Sequence, residues 1–180
     1  MRSFKTEGII IRRINYKEAD RIITIFSKKS GKISIKAAGV RRITSRRSPH
    51  IELLNLSNFN LYQGKGMPVL TEVDSIENFS DLKKDLIKIM AAFHVCELID
   101  GLCAENQENV EIFNLLQQTL KSISTQKSLV SVVYEFEIEL LRLLGFYTKT
   151  TALKVNTKEV IEEILERKLK TRQILPQFYS

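Results

Sequence analysis

Between Arg21 and Ile51 the chain has no aspartate and no glutamate, although 27% of its 180 residues are charged. That absence excludes a self-neutralised surface over the stretch. Nowhere does an apolar run approach the roughly 20 residues that a membrane-spanning helix needs. The opening Met-Arg-Ser-Phe-Lys-Thr-Glu-Gly lacks the apolar segment and small-residue cleavage site of a signal peptide, so a cytoplasmic location is expected. Cysteine is scarce, with only Cys96 and Cys103. At this spacing in a helix their Cα atoms lie about 10.5 Å apart, too far for a disulfide, which wants about 4.4–6.8 Å. They read as reduced core thiols, and they fall short of the four close Cys or His ligands of a zinc site. Histidine is as rare: His94 lies between Phe93 and Val95 in an apolar helical pattern, the setting of a packed imidazole, and His50 is the only other. No Ser/His/Asp set or carboxylate pair is implied by spacing. Gly64-Lys65-Gly66 lacks the Gly-Lys-Ser/Thr ending of a Walker loop and reads as a plain turn. No catalytic residue, metal or cofactor is expected.

What the acid-free stretch does hold is nine cations: Arg21, Lys28, Lys29, Lys32, Lys36, Arg41, Arg42, Arg46 and Arg47. Like charges repel, so a one-signed stretch answers a partner of opposite sign. Residues 1–79 carry 15 Lys/Arg against 7 Asp/Glu, and the remainder carries 13 against 14. The net +7 of the chain therefore belongs to its first half. A phosphate backbone is the simplest partner for such a module.

That half reads as strands. Gly31-Lys-Ile-Ser-Ile-Lys-Ala alternates, with Ile33, Ile35 and Ala37 on one face and Lys32, Ser34 and Lys36 on the other. The β-branched run from Arg21 to Phe26 precedes it and ends at the turn pair Ser30-Gly31, which predicts a hairpin. Residues 7–14 make an earlier strand. Leu53 to Tyr62 make a fourth, whose apolar phase switches from Leu54/Leu56 to Phe59/Leu61 and so predicts a bulge near Ser57-Asn58. Val69 to Ile76 make a fifth, after Gly64-Lys-Gly-Met-Pro68. Five short strands with a break after the third fit a small closed barrel of the OB type, and the strand count alone fits the edge of a generic sandwich as well.

The second half takes a helical period. Ser80-Asp81 reads as an N-cap, followed by Leu82, Leu86, Ile89, Phe93 and Cys96 as a stripe. A second helix spans Val110 to Ser124 with Phe113, Leu116, Leu120 and Ile123 inward. A third spans Leu129 to Leu144, carrying Leu129, Val133, Phe136, Leu140 and Leu144, and stops at Gly145. Phe146 to Asn156 read as a loop, after which Thr157 caps a last helix through Leu169 with Ile161, Ile164, Leu165 and Leu169 inward. The expected fold class is α+β: a five-stranded OB-type β-barrel over residues 1–79, then an α-helical bundle over 80–180.

The candidate nucleic-acid contacts follow from that frame. Lys32 and Lys36 share the outer face of one strand. Arg41, Arg42, Arg46 and Arg47 lie in the break after it, between Gly39 and Pro49, where a loop can follow a curved backbone. Arg12, Arg13 and Arg21 extend the surface along the first two strands. Phe26 and Phe59 are in phase with their strands and read as core. Tyr16 and Tyr62 end strands with a polar tip free, which suits stacking on unpaired bases, each worth about 1–3 kcal/mol.

Several of these residues fall in a familiar order. Thr6-Glu-Gly-Ile-Ile, Glu18-Ala-Asp-Arg-Ile, Gly31-Lys-Ile-Ser, Gly39-Val-Arg-Arg and Ser45-Arg46 resemble the N-terminal domain of the RecO family of bacterial DNA repair proteins. So does Leu61-Tyr-Gln-Gly-Lys-Gly-Met-Pro-Val-Leu-Thr. Phe136-Glu-Ile-Glu-Leu-Leu-Arg-Leu-Leu-Gly-Phe resembles the end of the family's third helix, and Glu166-Arg-Lys-Leu-Lys-Thr-Arg-Gln-Ile-Leu its closing helix and basic tail. The resemblance implies an OB barrel and a helical domain, binding of single- and double-stranded DNA, annealing of complementary strands, a nucleoid-associated place in the cytoplasm, and partnership with RecR. Together these would help load RecA onto strands coated by single-strand-binding protein (SSB). Three departures stand out. Where many members carry a Cys-x-x-Cys zinc module, Phe146 to Asn156 has no Cys or His, which predicts a short bridge without zinc. Some members place an arginine pair before the Phe-Glu of the third helix, resembling part of a site for the acidic SSB tail; this chain has Tyr134-Glu135. Ala38 replaces the family's lysine before Gly39.

Three function classes fit the residues: a non-enzymatic DNA-binding mediator, an RNA- or ribosome-associated OB module using the same basic face, and an adaptor whose basic loop docks on an acidic protein.

Overall fold

The computed structural model describes residues 2–126, 128–146 and 156–171. The chain divides into two compact units, one of residues 1–78 with 104–110, the other of residues 79–103 with 111–180.

In the first unit five strands close into a barrel: β1 (Arg2–Tyr16), β2 (Asp20–Ser27), β3 (Gly31–Ala37), β4 (Leu56–Gln63) and β5 (Val69–Glu77). Their order around the barrel is β1-β2-β3-β5-β4, as expected for the OB type. All neighbours are antiparallel except β3 and β5, which meet in parallel at Lys36 and Val69. The long β1 serves two partners, running beside β4 from Arg2 to Ile9 and beside β2 from Gly8 to Tyr16. The alternation read in the sequence decides what is inside: Ile23, Ile25, Ile33 and Ile35 pack with Phe59, Leu61, Leu70 and Val73. Each such buried side chain contributes about 1.5–3 kcal/mol. Phe26 is buried but takes the opposite strand phase from Ile23 and Ile25. The β4 register against β5 shifts between Leu56 and Ser57, close to the expected bulge. Leu54 lies before β4, not in it, at φ 71.

Ser30-Gly31 turns β2 into β3 as expected. Gly31 sits at φ +61, and a Cβ there would lie 1.8 Å from the Gln107 carbonyl oxygen. The reason is a neighbour remote in sequence: Asn106 N–H donates to the Lys32 carbonyl at 2.9 Å, and Glu105 bridges to Lys32.

The second unit holds α1 (Leu86–Leu102), α2 (Val110–Thr125), α3 (Leu129–Leu143) and α4 (Thr157–Leu165). The expected cap at Ser80-Asp81 is not the one used. Leu82–Lys84 form a short 3-10 turn, and Asp85 caps α1, its carboxylate accepting from Ile87 N–H and Lys88 N–H. The stripe shifts accordingly: Leu86 and Phe93 are exposed, whereas Ala91, Ala92, Val95, Leu98 and Ile99 are buried with Cys96. Cys96 and Cys103 are both buried and form no disulfide, and burial, with Asp100 nearby, pushes the Cys96 thiol up to about 12. The stripe expected for α2 is in place; in α3 Val133, Phe136 and Leu140 are buried but Leu129 and Leu144, at its ends, are only half-buried, and α3 ends beside Gly145 at φ +82. Thr157 is the first residue of α4, not its cap, which is Asn156, and the helix stops at Leu165, before Leu169. The bridge expected after Phe146 lies outside the described residues.

A buried polar network joins α1, α3, the start of α4 and the chain beyond it. His94 Nε2 lies 2.8 Å from Glu137 Oε1, and the Thr157 hydroxyl donates to Glu137 Oε2 at 2.5 Å. His94 Nδ1 lies 2.8 Å from Thr171 Oγ1, whose hydroxyl donates to Glu97. A hydroxyl has one proton, so His94 Nδ1 is the donor to Thr171. His94 is thus the packed imidazole the sequence suggests, with both ring nitrogens engaged.

Candidate nucleic-acid interface

Three loops meet at one end of the barrel: 17–19 after β1, 38–47 after β3, and 64–68 before β5. Asp20 organises the first two. Its carboxylate accepts the Gly39 N–H at 2.8 Å and pairs with Lys36 at 3.3 Å. The Gly39 hydrogen bond, with help from Lys36, holds the Asp20 carboxyl below its usual range. Gly39 takes φ +68, a left-handed turn that glycine adopts without strain. Arg41 N–H then donates to Ala19 O at 2.9 Å, and its guanidinium to Lys17 O at 3.2 Å. The third loop joins through Lys36 N–H to Pro68 O at 2.9 Å. Barrels of this type bind oligonucleotides on the face between these loops.

The fold divides the predicted cations into two kinds. Arg41, Arg42 and Arg46 are exposed on the 38–47 loop, around a fully exposed Ile43. Lys36 is about one-third exposed beside them. Tyr16 is 40% exposed, with Lys17 Nζ 5.5 Å and Lys36 Nζ 5.9 Å from its ring centroid, within cation-π range. Arg12 is exposed on β1 and reaches the Thr24 hydroxyl at 3.3 Å.

Others serve the scaffold. Arg47 donates to Leu70 O at 2.9 Å and to Ala38 O at 2.7 Å, so its guanidinium ties the loop to β5. Arg13 pairs with Glu52 at 2.6 Å, and Arg21 approaches the same carboxylate at 3.8 Å. Burial and then the Arg13 charge lower the Arg21 pKa, with Glu52 opposing them. Lys32 is only 8% exposed, where residues 104–110 return to the hairpin. Tyr62 is half-buried at the end of β4 that leads into the 64–68 loop, opposite Val69. Two exposed lysines at the loop end, Lys17 and Lys65, are missing from the predicted set. Lys17 sits beside Glu18 and reads as balanced, and Lys65 as part of a plain turn; only loop convergence singles them out.

A closed OB-type barrel with cationic loops at one end, continued by four helices, defines the class of protein. Within it the comparisons are specific. Residues 1–79 match the family described as Recombination protein O N terminal, and residues 83–152 match Recombination protein O C terminal. The chain belongs to the RecO family. It is 40% identical over 147 residues to the DNA repair protein RecO of Acetivibrio thermocellus, covering 81% of this chain and 59% of that protein. Identity is 34% over 145 residues with the protein of the same name from Roseiflexus, covering 81% and 51%. With that of Listeria welshimeri it is 32% over 143 residues, covering 79% and 56%. The chain therefore spans between 51% and 59% of the length of these relatives. No helix among the described residues is long and apolar enough to cross a membrane.

Proposed function

We propose that this chain is a non-catalytic DNA-binding mediator of repair and recombination, which binds single and double strands on the loop end of its barrel and anneals complementary strands. The observation that carries the reading is the convergence of exposed Lys17, Arg41, Arg42 and Arg46 on one barrel end, where the half-buried Asp20 is already engaged by the Gly39 N–H and Lys36. The name shared by the relatives, DNA repair protein RecO, supports the repair context.

The mechanism is electrostatic. Lysine and arginine neutralise phosphates and release condensed counterions. With repulsion between two strands reduced, complementary sequences approach and pair without nucleotide hydrolysis. Backbone contacts position a strand but carry no sequence information, so base preference is slight. Lys36, Arg41, Arg42, Arg46 and Arg12 supply the phosphate contacts, joined by Lys17 and Lys65, and Tyr16 supplies a stacking face. Arg13, Arg21, Arg47 and Lys32 hold the surface in shape, and Tyr62 lies at its margin. In the cell such a module would act with RecR to help load RecA onto SSB-coated strands.

Annealing of two complementary oligonucleotides, followed by fluorescence with and without SSB coating, tests the proposal. Faster pairing on both substrates supports it. Equal affinity for RNA and DNA without annealing would point to an RNA-associated module, and tight binding to an acidic protein with negligible affinity for oligonucleotides to an adaptor.

A further inference from the structure

The helical unit has a concavity that strand binding leaves unused. It is a groove of about 570 Å³ between α2 and α3, within the size range of pockets that take specific ligands. Leu115, Val132 and Ile138 give it an apolar side, and Gln118, Ser122 and Ser131 a wall of amides and hydroxyls. Along α3, Val130, Tyr134 and Ile138 recur every four residues and so share one helix face. Val130 is 49% and Tyr134 42% exposed, an apolar stripe facing out beside the groove.

The rim charge has one sign. Glu135 and Glu139 line the groove, and among its described lining residues there is no Lys or Arg. Glu139 is held by the Arg142 guanidinium through two contacts of 2.8 and 2.5 Å. Glu135 is exposed and makes no ion pair among the described residues. An acidic segment entering here would bring its carboxylates against Glu135, and among the described lining residues no Lys or Arg stands opposite it to meet them. A segment with apolar anchors and a cation answers all three features at once.

We propose that this groove is the docking site for a helical segment of a partner protein, which lays two apolar side chains one turn apart on the Val130/Tyr134/Ile138 stripe and sets a lysine or arginine against Glu135. Recognition of this kind reads the helix face through i and i+4 anchors, while the charge fixes register and rejects acidic segments.

The probe is a fluorescein-labelled synthetic peptide with leucines at i and i+4 on one face and lysines flanking them. Its twin carries glutamate for each lysine. Anisotropy titration of the full chain is expected to show the lysine peptide binding about tenfold more tightly than the twin. Glu135→Lys, at an exposed site that should not disturb folding, should reverse that order. Tyr134→Ala should weaken both peptides and keep the order, and Glu163→Lys, an exposed acid on α4, should leave both unchanged. Equal affinity for the two peptides, binding of neither, or a preference insensitive to Glu135→Lys would overturn the proposal.

Discussion

The two units handle charge in opposite ways. In the helical unit the buried acids are saturated. Glu137 is enclosed by His94 and Thr157, and Glu97 takes Arg167, the Lys170 and Thr171 N–H groups and the Thr171 hydroxyl. At the loop end of the barrel, arginines are instead presented to solvent on backbone hydrogen bonds that leave their charge unneutralised. The same side-chain types hold a fold together in one place and are available to a partner in the other. What separates them is burial: Arg41 reaches the Lys17 carbonyl and stays exposed, whereas the Arg47 guanidinium is half-buried between two carbonyls. That contrast makes each kind of residue testable by pairing a stability measurement with a strand-binding measurement.

The largest effect should come from the buried network. Glu137→Ala removes the carboxylate that meets His94 Nε2 and the Thr157 hydroxyl in the core, and should cost about 3 kcal/mol or more in urea unfolding. Strand affinity, measured where the variant is folded, should not change. A cost below about 1 kcal/mol would mean that the network is not what holds these helices.

Arg47→Ala comes next and sharpens the contrast inside one loop. It removes two hydrogen bonds and leaves the Leu70 and Ala38 carbonyls unmet, a loss of about 1–3 kcal/mol, with weaker strand binding as the loop loosens. Arg42→Ala, five residues earlier in the same loop, should weaken binding and leave stability within about 0.5 kcal/mol. Identical behaviour of the two variants would erase the distinction between anchor and contact.

A smaller effect is expected in acid. Burial pushes the Glu97 carboxyl up, but hydrogen bonds from Arg167, Lys170 and Thr171 outweigh it and bring the pKa from 4.5 down to about 2. A folded value below the unfolded one stabilises the native state above pH 4.5, and that share is lost as pH falls from 4.5 towards 2. Glu97→Gln should therefore flatten the fall in urea stability across that window, and an unchanged profile would place the acid sensitivity elsewhere.

Much of this was legible in the sequence where the period was strong. Gly31 to Ala37 alternates without a break, and β3 forms there; α2 buries the residues its 3.6-residue period selects, and α3 does so along its middle, at Val133, Phe136 and Leu140. The start of α1 was not legible, because Ser80-Asp81 and Asp85 offer the same capping chemistry and Ile89 to Ile99 is apolar on nearly every side, which leaves no phase to read. The site was readable as a charged region but not residue by residue. Lys32 matches Lys36 in strand phase, yet residues 104–110, remote in sequence, bury it. Arg47 looks like Arg46 until two backbone carbonyls are brought to it by β5 and the loop. Such distinctions belong to tertiary contacts, which composition and spacing do not encode.

The most direct test is the salt dependence of single-strand affinity, compared between the wild-type chain and the Arg41→Ala/Arg42→Ala/Arg46→Ala variant. If about six phosphates are neutralised, log affinity should fall with log salt at a slope near −4, and the variant should lose about 0.7 of slope per contact removed, with its unfolding curve unchanged. A wild-type slope retained by the triple variant would contradict the assignment of the strand-binding surface to this end of the barrel.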